Sequence, residues 1–204
     1  MNVLTALAAS LGLLCAGTAA AADCECLWRG GFADVQAEAD LVVTGEVIAG
    51  KGNSIDLQVE RQLRGDEPGQ TVRVWLKAAD YCRPERDRFP PGSRWVMALE
   101  RIDEQVPGGF NPHTPNISYG AWVITALSSC GGFWLSLVGE RVTGNLVDAP
   151  RWDHAPNMNP VLLDLIAAYV RGELSQDALR EAAAEDPALR ELILDTRAFL
   201  RDGE

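Results

Sequence analysis

Between residues 39 and 147, apolar and polar side chains alternate with a period of two, in short runs separated by glycine and proline. In "SIDLQVERQLRG" (54–65), Ile55, Leu57 and Val59 alternate with Asp56, Gln58 and Glu60. In "TVRVWLK" (71–77), Val72, Val74 and Leu76 alternate with Arg73 and Trp75. "ADLVVTGEVIAG" (39–50), "RWVMALERI" (94–102), "YGAWVITAL" (119–127), "GFWLSLV" (132–138) and "RVTGNLV" (141–147) complete the set of expected strands. Gly45 lies inside the first run and predicts a bulge or tight bend there. The connectors hold the breakers: Gly50 and Gly52, Gly65 to Gly69, Pro84 to Gly92, and Pro107 to Pro115. Short strands at this spacing predict an antiparallel barrel or sandwich. Trp75, Trp95, Trp122 and Trp134 fall within strands and are read as core packing, in preference to a ligand cage.

From Asn159 the period becomes helical. Asn159-Pro160 reads as an N-cap followed by proline at the first helical position, and Gly172 closes that helix. Ser175 caps a second helix, with Leu174 and Leu179 spaced as a hydrophobic staple. Asp186-Pro187 repeats the start signal, and Leu189, Leu192, Ile193, Thr196, Phe199 and Leu200 then share one face. The expected organisation is therefore a leader over 1–22, a β domain over 23–150 and a helical extension over 151–204. Packing of these helices on the β domain is the expectation, and docking to another protein through them is the alternative.

The first twenty-two residues carry no charge and no proline. An apolar run from Val3 to Leu14 is followed by small residues ending in Ala20-Ala21-Ala22, an A-x-A-like cleavage site. No lysine or arginine stands near Met1, but the apolar run is shorter than the ~20 residues of a spanning helix. The segment reads as a cleaved export signal, which places the mature chain in a secreted or periplasmic setting with no transmembrane segment left. Cys15 falls inside the leader, leaving Cys24, Cys26, Cys82 and Cys130. An even set in an oxidising compartment reads as two disulfides. A bond between Cys24 and Cys26, only two residues apart, would be badly strained. Each is therefore expected to reach a distant partner, with two connectivities open. Zinc sites usually use C-x-x-C pairs, so the C-x-C spacing argues against a metal, and no metal or cofactor is expected.

A formal net charge of −11, with 18 Lys and Arg and no basic stripe, argues against nucleic acid and anionic membranes as partners. The two histidines, His113 in "PGGFNPHTPN" and His154 in "RWDHAPN", have no companion at metal-ligand spacing. No H-E-x-x-H, G-x-S-x-G or phosphate loop is present. Asp80, Asp87, Asp103 and Glu104 lie in or beside loops and are read as solvated charge. No catalytic residue stands out, and a non-enzymatic role is expected.

The order of Cys24-Glu25-Cys26, "ADLVVTGEVIAG", "IDLQVERQLRGDEPGQTVRVWL", "YCRPERDRFPPGSRWVMAL" and Cys130 in "SSCGG" resembles the netrin-like modules and the tissue inhibitors of metalloproteinases, in particular their short bacterial relatives. The resemblance spans roughly residues 24 to 138 and leaves the helical tail outside. It implies a five-stranded OB-type barrel, with Cys24 joined to Cys82 and Cys26 to Cys130. In the animal inhibitors the first mature cysteine enters the protease cleft, where its free amine and carbonyl chelate the catalytic zinc. Carried onto this chain, the protein-binding wedge is Cys24, Glu25, Cys26 and Leu27 beside Asp80, Tyr81 and Cys82. The implied function is that of a non-catalytic, exported binding module acting on another extracytoplasmic protein, in its sharpest form a metalloprotease. The alternative is an envelope-associated interaction protein acting through the C-terminal helices.

Overall fold

The computed structural model describes residues 27–66, 68–77, 82–102, 124–126, 129–148 and 158–184. Strands form where the alternation placed them: β1 (Leu41–Lys51), β2 (Ser54–Arg64), β3 (Thr71–Trp75), β4 (Arg94–Arg101), β5 (Ile124–Ala126), β6 (Trp134–Val138) and β7 (Arg141–Thr143). An eighth, β8 (Val161–Leu162), joins them in a single eight-stranded sheet, more strands than the five expected of the barrel. The protein is mainly β, with helices towards its C-terminal side.

The pairings run β1–β2, β2–β3, β3–β5, β5–β4 and β4–β1. All are antiparallel except β3–β5, which is parallel. β6 continues from β4, and β7 and β8 follow it outward. These last strands account for the larger count. Gly139, at φ +57°, turns β6 back into β7, and Val161 then lies opposite Val142.

β1 pairs with β2 along one edge and with β4 along the other, and its register against β2 slips between Thr44 and Gly45. A Cβ at position 45 would stand 2.4 Å from the Gln58 carbonyl oxygen. Only glycine allows that approach, and of the bulge or tight bend expected from the sequence, a bulge-like register shift is what is present. Residues 41–45 are buried on both faces of the strand. Val43, Val47, Leu57, Val72, Val74, Val96 and Leu99 are among the fully buried side chains of one continuous core.

Two features depart from the sequence pattern. Alternation put Asp56 on the polar face of β2, yet it is 5% exposed. Directly opposite on β3, Arg73 meets it in a two-pronged ion pair at 2.7 and 3.0 Å, which satisfies the buried carboxylate. The second departure is at Asn159-Pro160, which does not start a helix. Val161 and Leu162 extend β8 against β7, and α2 begins at Leu163 (Leu163–Val170), whose N–H donates to the Glu140 carbonyl at 2.9 Å. Asn159 instead holds the far end of α3 (Gln176–Ala183). Its backbone N–H donates to Ala183 O and its side-chain amide to Ala184 O.

Two other helix signals hold, at Gly172 and Ser175. After α2, Gly172 adopts φ +77°, and the N–H groups of Gly172 and Glu173 donate to Tyr169 O and Ala168 O, a Schellman close. Ser175 Oγ accepts from Ala178 N at 3.2 Å and caps α3. Leu163, Ile166, Ala167, Val170, Leu179 and Ala183 join the same core as the strands, so α2 and α3 pack on the β structure. The start signal at Asp186-Pro187 lies outside the described residues. A short helix before β1, α1 (Phe32–Val35), had no periodic signal because four residues span one turn.

Candidate binding site

Three chain segments converge at one end of the sheet: the stretch after Cys26, the stretch around Cys82, and the Ser129–Gly132 turn. Arg29 N–H donates to Cys130 O at 2.8 Å, Gly132 N–H to Gly30 O at 2.9 Å, and Ser129 N–H to Cys82 O at 2.8 Å. Glycine permits this crowding. A Cβ at Gly132 would lie 2.7 Å from Asn145 O and 2.8 Å from Phe32 N, and Gly30 sits at φ +115°. Cys82 and Cys130 are each disulfide-bonded. Their expected partners, Cys24 and Cys26, lie outside the described residues, as do Glu25, Asp80 and Tyr81 of the expected wedge. Leu27 is described, and at 89% exposure it projects its whole side chain into solvent beside this junction.

Next to the junction lies a cavity of about 620 Å³. Sheet register builds one wall. Trp95 pairs with Ser136, Ser136 with Thr143, and Trp134 lies two residues from Ser136, so all four point from the same face of β4, β6 and β7. Phe89, fully buried behind them, packs edge-to-face on Trp95 at 5.0 Å and on Trp134 at 5.9 Å between centroids. Trp28 completes the aromatic lining. Trp95 and Trp134 therefore do two things: they pack on the core, as expected, and also face a cavity. Trp75 is buried at 8% exposure, and Trp122 lies outside the described residues.

The polar lining is cationic and rich in donors. Arg88 places its guanidinium 5.8 Å from the Trp134 ring centroid. Lys77 forms an ion pair with Glu85 at 2.8 Å, and Arg83 is buried in the same wall. No carboxylate among the described residues pairs with Arg88. Ser129, Ser136, Thr143 and Asn145 supply hydroxyls and an amide, and the buried Asn145 Oδ1 has no hydrogen-bond partner among the described residues. In a chain of net charge −11, the cavity lining carries Lys77, Arg83 and Arg88 against a single carboxylate, Glu85.

Of the carboxylates read as solvated charge, Asp87 is exposed and lies 3.5 Å from Arg86. Asp80, Asp103, Glu104, His113 and His154 lie outside the described residues. Among the described residues no three His, Cys, Asp or Glu side chains gather where they could hold a metal ion. Nor is any described helix long and apolar enough to cross a membrane. Trp28, Arg88 and Asn145 gave no signal in the sequence, because Trp28 and Asn145 stand in loops, Arg88 ends a single helical turn (Arg86–Arg88), and each acquires its role only when these segments meet. Compared with protein-family models, curated proteins and solved structures, the chain matches none.

Proposed function

We propose that the protein is an exported, disulfide-clamped, non-catalytic binding module of the OB-type barrel class, which recognises another extracytoplasmic protein through the end carrying its N-terminal clamp. The observation that carries this is the convergence of the segments after Cys26, around Cys82 and around Cys130, with Leu27 exposed at the junction. Cys24–Cys82 and Cys26–Cys130 bonds would tie the mature N-terminus to two loops already held together by backbone hydrogen bonds. The barrel reading is supported by the order of strand pairings, which returns from β4 to β1 and is parallel only between β3 and β5. Within this reading, metalloprotease inhibition through Cys24, Glu25, Cys26 and Leu27 beside Asp80 and Tyr81 is the sharpest form.

The test is photo-crosslinking in the native host. A photoreactive residue at position 27 is expected to give a discrete protein adduct. The same residue at Val138, also apolar and 74% exposed, serves as the control. Absence of an adduct at 27, or equal labelling at 138, would overturn the wedge reading.

A further inference from the structure

We propose that the cavity beside the clamp receives the free C-terminal residue of a peptide chain, resting on the reading of this end as a protein-binding surface. Three features of the lining match the three parts of such a residue. Arg88, with no carboxylate partner among the described residues, offers a planar guanidinium that suits the two oxygens of an α-carboxylate. The hydroxyls of Ser136 and Thr143, side by side on β6 and β7 in the cavity lining, can accept from the backbone N–H of the terminal residue. The rings of Trp28, Trp95 and Trp134 give an apolar wall for the side chain, so an aromatic or aliphatic terminal residue is favoured.

Size and charge agree. The volume of about 620 Å³ falls within the roughly 300–1,000 Å³ of small-ligand pockets and holds one or two residues, not a folded domain. The Lys77–Glu85 pair at the wall is internally neutral, so Arg88 can meet an incoming anion without competition from Glu85. The held rings also favour binding. Phe89 fixes Trp95 and Trp134 from behind, and Trp95 Nε1 donates to Ser93 Oγ at 2.7 Å, so little side-chain freedom is lost when a ligand arrives.

The same chemistry is present in a free N-acylated amino acid, and the probes separate the two sources. Calorimetry and intrinsic tryptophan fluorescence on the full mature chain would compare N-acetyl-phenylalanine, N-acetyl-phenylalaninamide, and the tripeptide acetyl-Gly-Gly-Phe with a free or an amidated terminus. Both free acids are expected to bind. A tighter tripeptide acid points to a peptide source, and equal affinities point to the free acid. Amides as tight as the acids, or no binding by any acid, would overturn the proposal. Arg88→Met should weaken acid binding by roughly 10- to 100-fold, as loss of a hydrogen bond to a charged group does, and leave the weak amide binding unchanged. Thr143→Val gives an independent check, because it removes a cavity-lining hydroxyl at nearly constant shape. Its effect should fall on acid and amide alike. Near-UV circular dichroism confirms that each variant is folded. If the acids fail while the position-27 adduct persists, the cavity proposal falls and the wedge reading stands; the reverse result separates them the other way.

Discussion

Thr44 is 1% exposed in the middle of β1, and its hydroxyl has no hydrogen-bond partner among the described residues. A buried, unmatched hydroxyl costs about 1–3 kcal/mol of desolvation. Valine has nearly the same shape and suits a strand, so Thr44→Val should raise stability by about 1 kcal/mol, read as a higher urea midpoint at unchanged slope. Tyr169 presents the opposite case. Its hydroxyl donates to Ala33 O at 2.7 Å and ties α2 to α1. Burial, and then the nearby Asp34 carboxylate, raise its pKa, because both disfavour a phenolate. With the folded value above the unfolded value of ~10, its contribution is complete below that pH and is lost as pH rises through the folded value. Tyr169→Phe should therefore cost about 1 kcal/mol near neutrality and flatten the alkaline limb of stability against pH. An unchanged alkaline limb would show that another group drives it.

At the scale of elements, the strands were legible because their signal is local. Alternating side chains against a half-buried pleat leave the same trace in sequence wherever the strand sits. Gly45 was legible for a similar reason, since a glycine inside a run of Val and Ile has few uses other than a bend. Gly45→Ala brings a methyl within 2.4 Å of Gln58 O, with backbone on one side and Leu57 on the other, so neither can easily move. It should cost about 2–3 kcal/mol or more in chemical denaturation. What was not legible depended on a partner distant in sequence. Asp56 looks like any polar strand residue until Arg73 stands opposite it. Replacing it by alanine takes a two-pronged, charge-assisted contact from a largely buried guanidinium, and should cost about 1.5–3 kcal/mol where a solvated aspartate would cost little. Asn159-Pro160 misled because the same pair can lead into a short strand as well as into a helix. β7 offered Val161 a pairing edge that local sequence does not reveal. The cavity lining was hidden for the same reason, as Trp28, Arg88 and Asn145 come from separate connecting segments.

At the scale of the molecule, the decisive variable in the inhibitor form of the proposal is one residue long. Chelation of a catalytic zinc needs a free α-amine on the residue that enters the cleft. Cleavage after Ala22 leaves Asp23 ahead of Cys24, which puts an amide where the amine must be and a carboxylate beside it. A chain whose mature form begins at Cys24 should inhibit a zinc metalloprotease, and one that begins at Asp23 should not. Both should still form the same disulfides, because Asp23 takes no part in the clamp. Non-reducing peptide mapping fixes that point first, and a Cys24–Cys130 bond would break the family resemblance outright. With the pairing established, titrating both forms against a panel of zinc metalloproteases isolates the amine. Inhibition by the Cys24 form alone, lost again on acetylating its amine, would support chelation. Equal inhibition by both forms would move the effect away from the amine to side-chain contacts such as the exposed Leu27. If neither form inhibits, the inhibitor version fails while recognition through the clamp end still stands on the crosslinking result.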